Sequence, residues 1–565
     1  MRGREKVIWS TGDVGGQLPA IVFFSRQSSM LNYLQLVFGA LVIWLVQRLL
    51  SSRKDGSRGV PLPPGPKPKP LIGNALDFPT SRPYEVYVEW GKRYNSDILY
   101  ATALGNKILI VNKLEDADEL LDRRARKYSD RPWIPIVDLT GWAGNTALLR
   151  YGKTWRLHRK LCQQSFRAEA AQDFRPLLVK KTREMLHRLL EDPANFDEHS
   201  RLLSISVPMI TMYGYEVESF QDPCVVAAEE SVQTGGDLLL PGRSWINTFP
   251  ILRHVPPWFP GATTRRIAEK ARQINRRVVD LPYEFTKKKV EAGTEIPSFV
   301  SQFIRRKQEG KATEEEEEAV RNISWTVYSE TALNDLSRCF GYCRSLPCCL
   351  HWVKFRSIHQ TISATGTFFY LMTVHPEIQK KAQDELDRVV GSERLPDFSD
   401  RPSLPYIEAL YRELLRFKPP VPMAVAHALT EDDYYKGYFI PKGTMVLPNI
   451  WAMTRDENLY PEPEKFKPER FLDASGNLNN DSRVLAYGFG RRICVGKHIG
   501  SDTLWIIIAS VLASFSIEKC KDALGNEIEV NHDYADVAIF LHKAKFQCTF
   551  VPRSPTVRHL IEDSK

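Results

Sequence analysis

The most informative segment of this 565-residue chain is residues 487–496, which read YGFGRRICVG. Its three glycines let the backbone turn tightly around a single thiol, that of Cys494. Arg492 stands two residues before it and can offset the negative charge of a thiolate. A structural zinc ion would need three further cysteine or histidine ligands, and only His498 lies near in sequence. The segment therefore predicts that Cys494 binds an iron atom as a thiolate.

The same segment resembles the haem-binding signature of the cytochrome P450 family, F-x-x-G-x-R-x-C-x-G, with Tyr487 in place of the family's phenylalanine. The resemblance implies a haem (iron protoporphyrin IX) cofactor with Cys494 as its axial ligand. It also implies a mainly α fold with a small β-rich lobe. The competing interpretation is a buried cysteine in a glycine-rich turn, and further matches argue against it.

A second match lies in the run Leu404 to Phe417, which predicts a helix because Lys418-Pro419-Pro420 would end it. Glu413 and Arg416 share one face of this helix. They resemble the family's E-x-x-R, and Arg470 matches the arginine that completes a buried Glu-Arg-Arg network in the family. The resemblance implies that these charges support the haem pocket. Each depends on the others, because an unpaired buried charge costs ~3–5 kcal/mol.

A third match is Trp155 and Arg159, which project from one face of a predicted helix and resemble the family's W-x-x-x-R. An indole N–H and a guanidinium can both bind a carboxylate. His427 and Arg492 occupy two other positions at which the family contacts the haem propionates. The resemblance thus implies that these four residues, with Cys494, bind the cofactor.

The N-terminal residues predict a membrane attachment. Residues 31–50 are largely apolar and, with Arg48 reaching the headgroups, are long enough to form one transmembrane helix. Residues 51–70 are basic and rich in proline, and the run PLPPGP at 61–66 resembles the family's hinge between anchor and catalytic domain. Residues 1–30 match no element of the family and form an extension. The basic residues that follow the anchor predict a cytosolic catalytic domain.

The catalytic domain is expected over residues 71–553, followed by a tail at 554–565. Within it, Tyr84 to Tyr94 predicts a helix. Ile98 to Val111 predicts a β-hairpin with its turn at Gly105-Asn106. Residues 132–145 resemble the family's variable loop over the substrate.

The family's central helix, which carries an oxygen-handling motif close to A-G-x-D/E-x-T, is interrupted in this chain. Ala319 to Ser329 matches its front half and Thr361 to Phe369 its back half, with residues 330–360 between them. On the register of the back half, Thr361 takes the place of the catalytic threonine and His359 that of the acid. Proton delivery to bound oxygen is therefore in question, although ligation of the haem is not.

Three interpretations of residues 330–360 stay open. The segment contains four of the nine cysteines and could bind zinc, although the spacing matches no known pair of zinc knuckles. It could be a genuine folded insertion. A translated intron or mispredicted splice junction is best supported, because the flanking sequence rejoins the family pattern when the segment is removed. The candidate zinc ligands are Cys339, Cys343, Cys348, Cys349 and His351.

The composition limits the classes of partner that this chain is expected to bind. A net charge of +9 without a basic block predicts no nucleic-acid binding and favours an anionic membrane and an acidic redox protein. Nine scattered cysteines favour the cytosolic side of a membrane. No G-x-G-x-x-G fingerprint is evident, which fits electrons arriving from a separate NADPH–cytochrome P450 reductase.

The resemblance as a whole implies a fungal-type monooxygenase that is anchored in the endoplasmic reticulum membrane by a single span. Such an enzyme inserts one oxygen atom of O₂ into a small apolar organic substrate, in secondary metabolism or xenobiotic oxidation, as residues 375–391 suggest. Two alternatives remain. One is a haem-thiolate isomerase or dehydratase, which needs no reductase. The other is a haem-binding pseudoenzyme, if residues 330–360 belong to the mature chain.

Overall fold

The computed structural model of the chain describes Gly39 and residues 59–239, 244–329, 360–537 and 539–563. The predicted extension 1–30, nearly all of the predicted anchor 31–50, and the cysteine-rich segment up to residue 359 lie outside the described residues. Within the described ranges, no helix is both long enough and apolar enough to cross a membrane.

The described part of the chain is mainly helical, as predicted. Several helices begin with a proline at their first turn, where its missing N–H is not needed. The helices are α1 (Pro83–Tyr94), α2 (Leu114–Ala117), α3 (Ala125–Tyr128), α4 (Pro135–Thr140), α5 (Lys153–Phe166), α6 (Ala168–Ala171), α7 (Arg175–Glu191), α8 (Phe196–Tyr213), α9 (Pro223–Gly235), α10 (Trp245–Thr248), α11 (Thr263–Glu291), α12 (Phe299–Gln308), α13 (Glu314–Ser329), α14 (Gln360–Val374), α15 (Pro376–Val389), α16 (Pro405–Phe417), α17 (Ile450–Met453), α18 (Lys497–Ser514) and α19 (Pro555–Glu562).

A four-stranded sheet, in the order β1-β2-β6-β3, forms the small β-rich lobe. Strand β2 pairs antiparallel with β1 and parallel with β6, while β3 pairs antiparallel with β6. The remaining strands form the antiparallel pairs β4–β5, β7–β10 and β8–β9. The strands are β1 (Ile98–Ala103), β2 (Asn106–Val111), β3 (His427–Ala428), β4 (Asp433–Tyr435), β5 (Tyr438–Ile440), β6 (Met445–Pro448), β7 (Phe515–Glu518), β8 (Tyr534–Val537), β9 (Phe540–Lys543) and β10 (Thr549–Pro552).

The predicted hairpin is confirmed, but its turn is one residue earlier than expected. Ala103 pairs with Asn106, so the two turn residues are Leu104 and Gly105. Both have positive φ, 46° and 88°, as a type I′ turn requires. The prediction placed Gly105 first because Asn-Gly and Gly-Asn pairs mark such turns, and it did not expect a leucine in the left-handed region.

The proline-rich run at 61–66 packs against the β-rich lobe and is not a free spacer. The carbonyl of Pro64 accepts a hydrogen bond of 2.9 Å from the Tyr100 N–H, and that of Pro61 accepts one of 2.8 Å from the Phe439 N–H. A Cβ added at Gly65 would lie 2.1 Å from the Tyr100 oxygen, so a glycine is needed there. This end of the predicted hinge belongs to the catalytic domain.

The largest core cluster surrounds α18, which is buried on nearly every face between Asp502 and Leu512. Helices α14 and α16 pack against it. The predicted helix at 404–417 is confirmed as α16, and the two predicted halves of the central helix are confirmed as α13 and α14. Gln360, expected in the insertion, is already the first residue of α14. Because α18 begins three residues after Cys494, its burial fixes the position of the cysteine loop.

Candidate functional site

Cys494 lies in a loop between a 3₁₀ turn at Gly490–Arg492 and the start of α18. Its N–H donates a hydrogen bond of 2.9 Å to the Tyr487 carbonyl, which closes the loop. Gly490 has a φ of +50°, and a Cβ there would lie 2.1 Å from the Leu121 carbonyl oxygen. A side chain at 490 would therefore push the loop away from the neighbouring turn, which explains the glycine of the motif.

Positive charge lies close to Cys494. Arg159 on α5 donates a hydrogen bond of 2.8 Å to the carbonyl of Ile493, the residue directly before the cysteine. Burial lowers the pKa of the Arg159 guanidinium, and the nearby Cys162 and Cys494 thiols act in the opposite direction. The N-terminus of α18 adds a second source of positive potential. Positive charge next to a cysteine stabilises its anionic form, which is the form that binds iron.

Arg492 and Trp155 lie together beside this loop. The Arg492 guanidinium carbon is 4.5 Å from the centroid of the Trp155 ring. Its Nε donates to the Ser129 carbonyl at 2.8 Å and its Nη2 to the Leu149 carbonyl at 2.7 Å. Among the described residues, its buried Nη1 has no hydrogen-bond partner. Burial lowers the pKa of Arg492 to about 10, and Asp130 opposes that shift.

His427 is buried close to the same cations. Its Nδ1 lies 2.8 Å from the Tyr128 carbonyl. A carbonyl can only accept, so Nδ1 carries the proton and Nε2 is the site that gains or loses one. Burial lowers the pKa of His427 to about 3, and the charges of Arg131 and Arg492 act in the same direction.

Arg131 belongs to this site although the sequence analysis did not find it. It is 6% exposed, and its Nη1 donates to the carbonyls of Val425 and Ala426 at 2.8 and 2.6 Å. Its Nε donates to the Ala147 carbonyl at 2.8 Å. A single arginine before a proline carries no spacing signal, so only the tertiary contacts identify it.

The side chains gathered here fit haem. Cys494 would supply a thiolate ligand, and Arg159 and Arg492 donate hydrogen bonds to carbonyl oxygens, which do not neutralise their charges. Partly buried cations are stabilised by an anionic partner. The two carboxylates of haem would supply it, and the unpaired Nη1 of Arg492 is available to one of them.

The predicted charge network is assembled behind the cysteine loop. Glu413 is fully buried, and Arg416 donates to both of its oxygens, from Nε at 2.6 Å and Nη2 at 2.9 Å. Arg470 donates from Nε to Oε1 at 3.2 Å, and the Lys467 N–H donates to the same oxygen at 2.8 Å. Arg416 also holds the Thr454 carbonyl at 2.8 Å. The network joins α16 to the segment that follows α17.

Thr361 is the second residue of α14 and is partly exposed. Its carbonyl accepts a hydrogen bond of 2.8 Å from the Thr365 hydroxyl. His359, predicted at the position of the acid, lies outside the described residues. The catalytic role of Thr361 stays a prediction.

The fold and this site define a haem-thiolate protein, and comparison with known proteins identifies its family. The family model for cytochrome P450 matches residues 63–330 and 353–550. Cytochrome P450 monooxygenase COX2 of Coprinopsis cinerea is 37% identical over 514 residues, which cover 90% of this chain and 92% of that protein. Cytochrome P450 monooxygenase 208 of Postia placenta is 36% identical over 94% of this chain and 98% of its own length.

The chain belongs to the cytochrome P450 family. It is accordingly an oxidoreductase of the monooxygenase type, with haem iron as its cofactor. The relatives are named as monooxygenases, so they do not favour the isomerase or dehydratase alternative. The family match leaves out residues 331–352, which lie inside the segment predicted to be an insertion.

Proposed function

We propose that this protein inserts one oxygen atom of O₂ into a small apolar organic substrate, with electrons from NADPH–cytochrome P450 reductase. The observation that supports this most strongly is the cysteine loop, in which Cys494 lies between the partly buried Arg159 and the start of α18. When bound there, haem supplies the oxygen-activating chemistry of the family. Cys494 would ligate the iron, and Trp155, Arg159, His427 and Arg492 would hold the two carboxylates.

The proposal also links haem binding to the protonation of His427. Its Nδ1–H is used by the Tyr128 carbonyl, so Nε2 can donate to a carboxylate only after it takes up a proton. The low pKa of about 3 arises from burial of the ring and from the nearby charges of Arg131 and Arg492. A bound carboxylate would raise this pKa, so haem binding and protonation of His427 favour each other.

The residues that surround the site also shield it from water. Trp155 is 5% exposed and lies between the rings and guanidinium groups of Tyr151, Arg159 and Arg492. Low polarity strengthens the hydrogen bonds between these cations and a carboxylate. The chain thus contributes orientation, charge and exclusion of water, while the cofactor contributes the redox chemistry.

We infer that the protein acts at the endoplasmic reticulum membrane, held by a single helix at residues 31–50. The described surface supports contact with a lipid bilayer. The segment 245–259 exposes Trp245, Ile251 and Trp258, whose exposed fractions are 68%, 73% and 79%. Tryptophan prefers the boundary between lipid and water, and Arg253 in the same segment can pair with anionic headgroups. Flotation with anionic vesicles tests this, with deletion of residues 1–58 and with Trp245→Ser and Trp258→Ser in either background.

We further propose that residues 330–360 arise from a translated intron or a mispredicted splice junction. The family match breaks off at residue 330 and resumes at 353, and α13 and α14 lie on either side of the break. Sequencing the transcript across codons 329–361 tests this directly. A mature transcript that contains these codons would instead favour the pseudoenzyme alternative.

Labelled oxygen tests the proposed reaction. With reductase, NADPH and ¹⁸O₂, a monooxygenase yields product that carries one ¹⁸O atom and needs NADPH for every turnover. Conversion without NADPH and without label would select the isomerase or dehydratase alternative. Screening apolar compounds in this assay also identifies the substrate class.

A further inference from the structure

The loop at residues 142–149 holds two of the arginines of the site. The carbonyl of Leu149 accepts from Arg492 Nη2 at 2.7 Å, and that of Ala147 accepts from Arg131 Nε at 2.8 Å. These carbonyls set the direction in which each guanidinium points, because its donors are fixed in one plane. A shift of the loop would therefore turn the unpaired Nη1 of Arg492 away from its position.

Thr146, in the middle of this loop, is bound from two sides. Its hydroxyl lies 2.8 Å from Nδ1 of His158 on α5, in a hydrogen bond between two buried side chains. Its N–H donates at 2.9 Å to the hydroxyl of Thr326 on α13. The Thr326 hydroxyl in turn donates to the Asn322 carbonyl at 2.7 Å, which fixes its orientation.

We propose that His158, Thr146 and Thr326 form a clamp that positions Arg492 for the carboxylates of haem. The inference rests on the proposed role of Arg492 as a carboxylate ligand. His158 and Thr326 act through the loop and contact no cofactor atom in this account, so they are positioning residues. Their hydrogen bonds are buried, and a buried hydrogen bond is expensive to break.

The clamp also connects the haem site to the interrupted helix. Thr326 lies three residues before Ser329, at which α13 ends. Any displacement of this end of α13 by the following segment would pull on Thr146 and, through Leu149, on Arg492. The affinity for haem would then depend on the inserted segment, even without direct contact between the segment and the haem.

The test compares haemin with haemin dimethyl ester, whose carboxylates are blocked. Full-length apoprotein is titrated with each compound, and the ratio of the two dissociation constants measures how well the carboxylates are recognised. Thr146→Val removes the hydroxyl at nearly constant volume. It should weaken haemin binding about tenfold, the scale of one buried hydrogen bond, and leave the ester unchanged. Thr146→Ser, which keeps the hydroxyl, should restore the ratio.

Two further variants make the outcome decisive. Thr211→Val is the matched control, because Thr211 is also buried and its hydroxyl donates within α8, to the Val207 carbonyl at 2.8 Å. It should leave the ratio unchanged. In an Arg492→Ala background, Thr146→Val should have a much smaller effect, because Arg492 is gone and only Arg131 is still held by the loop.

The possible failures are distinguishable. If Arg492→Ala itself leaves the ratio of the haemin dissociation constant to that of the ester unchanged, Arg492 does not bind a carboxylate. The clamp proposal is then wrong as well. If Arg492→Ala raises the ratio of the haemin dissociation constant to that of the ester but Thr146→Val does not, the clamp alone is wrong. If Thr146→Val weakens both compounds equally, the residue is only structural and the proposal is overturned.

Discussion

The two sides of the proposed haem site differ in how completely they match the family. On the side of the cysteine, the loop is closed by hydrogen bonds, and the Glu413 network behind it joins buried groups at distances of 2.6 to 3.2 Å. On the side of the central helix, α13 ends at Ser329 and α14 begins at Gln360. Binding the cofactor and delivering protons to oxygen are thus separate requirements, and the family match breaks off only among the residues of the second.

The largest effect is expected from a chain in which the insertion beside the central helix is removed. Deletion of residues 330–358 together with His359→Asp restores the helix and the acid at the position that the family uses. The amount of product per NADPH consumed should rise about 10²-fold, the range of a proton-transfer catalyst. Reductase-supported assays that measure NADPH, product and peroxide together check this. Equal and tight coupling in both chains would show that the insertion is tolerated.

On the intact side, the next largest effect is expected from the buried charges. Arg470→Ala leaves Glu413 with one fewer partner, and Glu413→Ala leaves two arginines without their shared carboxylate. Each change should lower the free energy of unfolding by about 3–5 kcal/mol and yield little haem-loaded protein. Thermal melting and haem content measure the two effects. Lys380→Ala, which removes an exposed ion pair with Asp384, is the control and should melt within a degree or two of the wild type. Unchanged melting in Arg470→Ala would contradict the network.

A smaller effect is expected from single cations of the proposed carboxylate site. Arg492→Ala or Arg159→Ala should weaken haem binding by about 1.5–3 kcal/mol, the contribution of a hydrogen bond to a charged group. The rate of haem transfer to an acceptor protein measures this loss. A haem-containing structure in which none of Trp155, Arg159, His427 and Arg492 contacts a carboxylate would refute the assignment.

The smallest effect near neutral pH is expected from the buried histidines of the haem-free chain. Burial lowers the pKa of His158 to about 4 and that of His427 to about 3, both below their ordinary value of 6.5. The unfolded chain therefore binds more protons than the folded chain as the pH falls from about 6.5 towards 4. Stability should decline through this window, and His158→Gln should make the decline shallower. Urea titrations of the apoprotein at several pH values measure it, and identical slopes for both proteins would contradict the assigned pKa shift of His158.

Local patterns in the sequence were enough to predict much of the fold. The helix that carries Glu413 and Arg416 ends where Lys418 and two prolines follow, as expected. The hairpin was found from the run Ile98 to Val111 and its turn signal, although the turn was misplaced by one residue. The proline run was expected to be a spacer, and only the sheet contacts of Pro61 and Pro64 show that it is part of the domain.

The site was predictable where the chemistry lies in a motif, and less so where it lies in the backbone. Cys494, Arg492 and Trp155 stand in recognisable spacings, and the structure brings them together. Arg131 and Thr146 stand in no recognisable spacing. Their contacts use main-chain carbonyl oxygens and N–H groups, which any residue possesses, and join segments that are distant in sequence. Such contacts depend on the tertiary arrangement and leave no trace in residue type or periodicity.

The most direct test of the account is the absorption spectrum of the reduced protein with carbon monoxide bound. A thiolate ligand from Cys494 predicts the red-shifted Soret band of haem-thiolate proteins, with or without residues 330–360. Cys494→Ser should lose this band, while Cys162→Ser, which changes a buried cysteine near Arg159, should keep it. A Cys494→Ser protein that retained the red-shifted band would contradict the central claim.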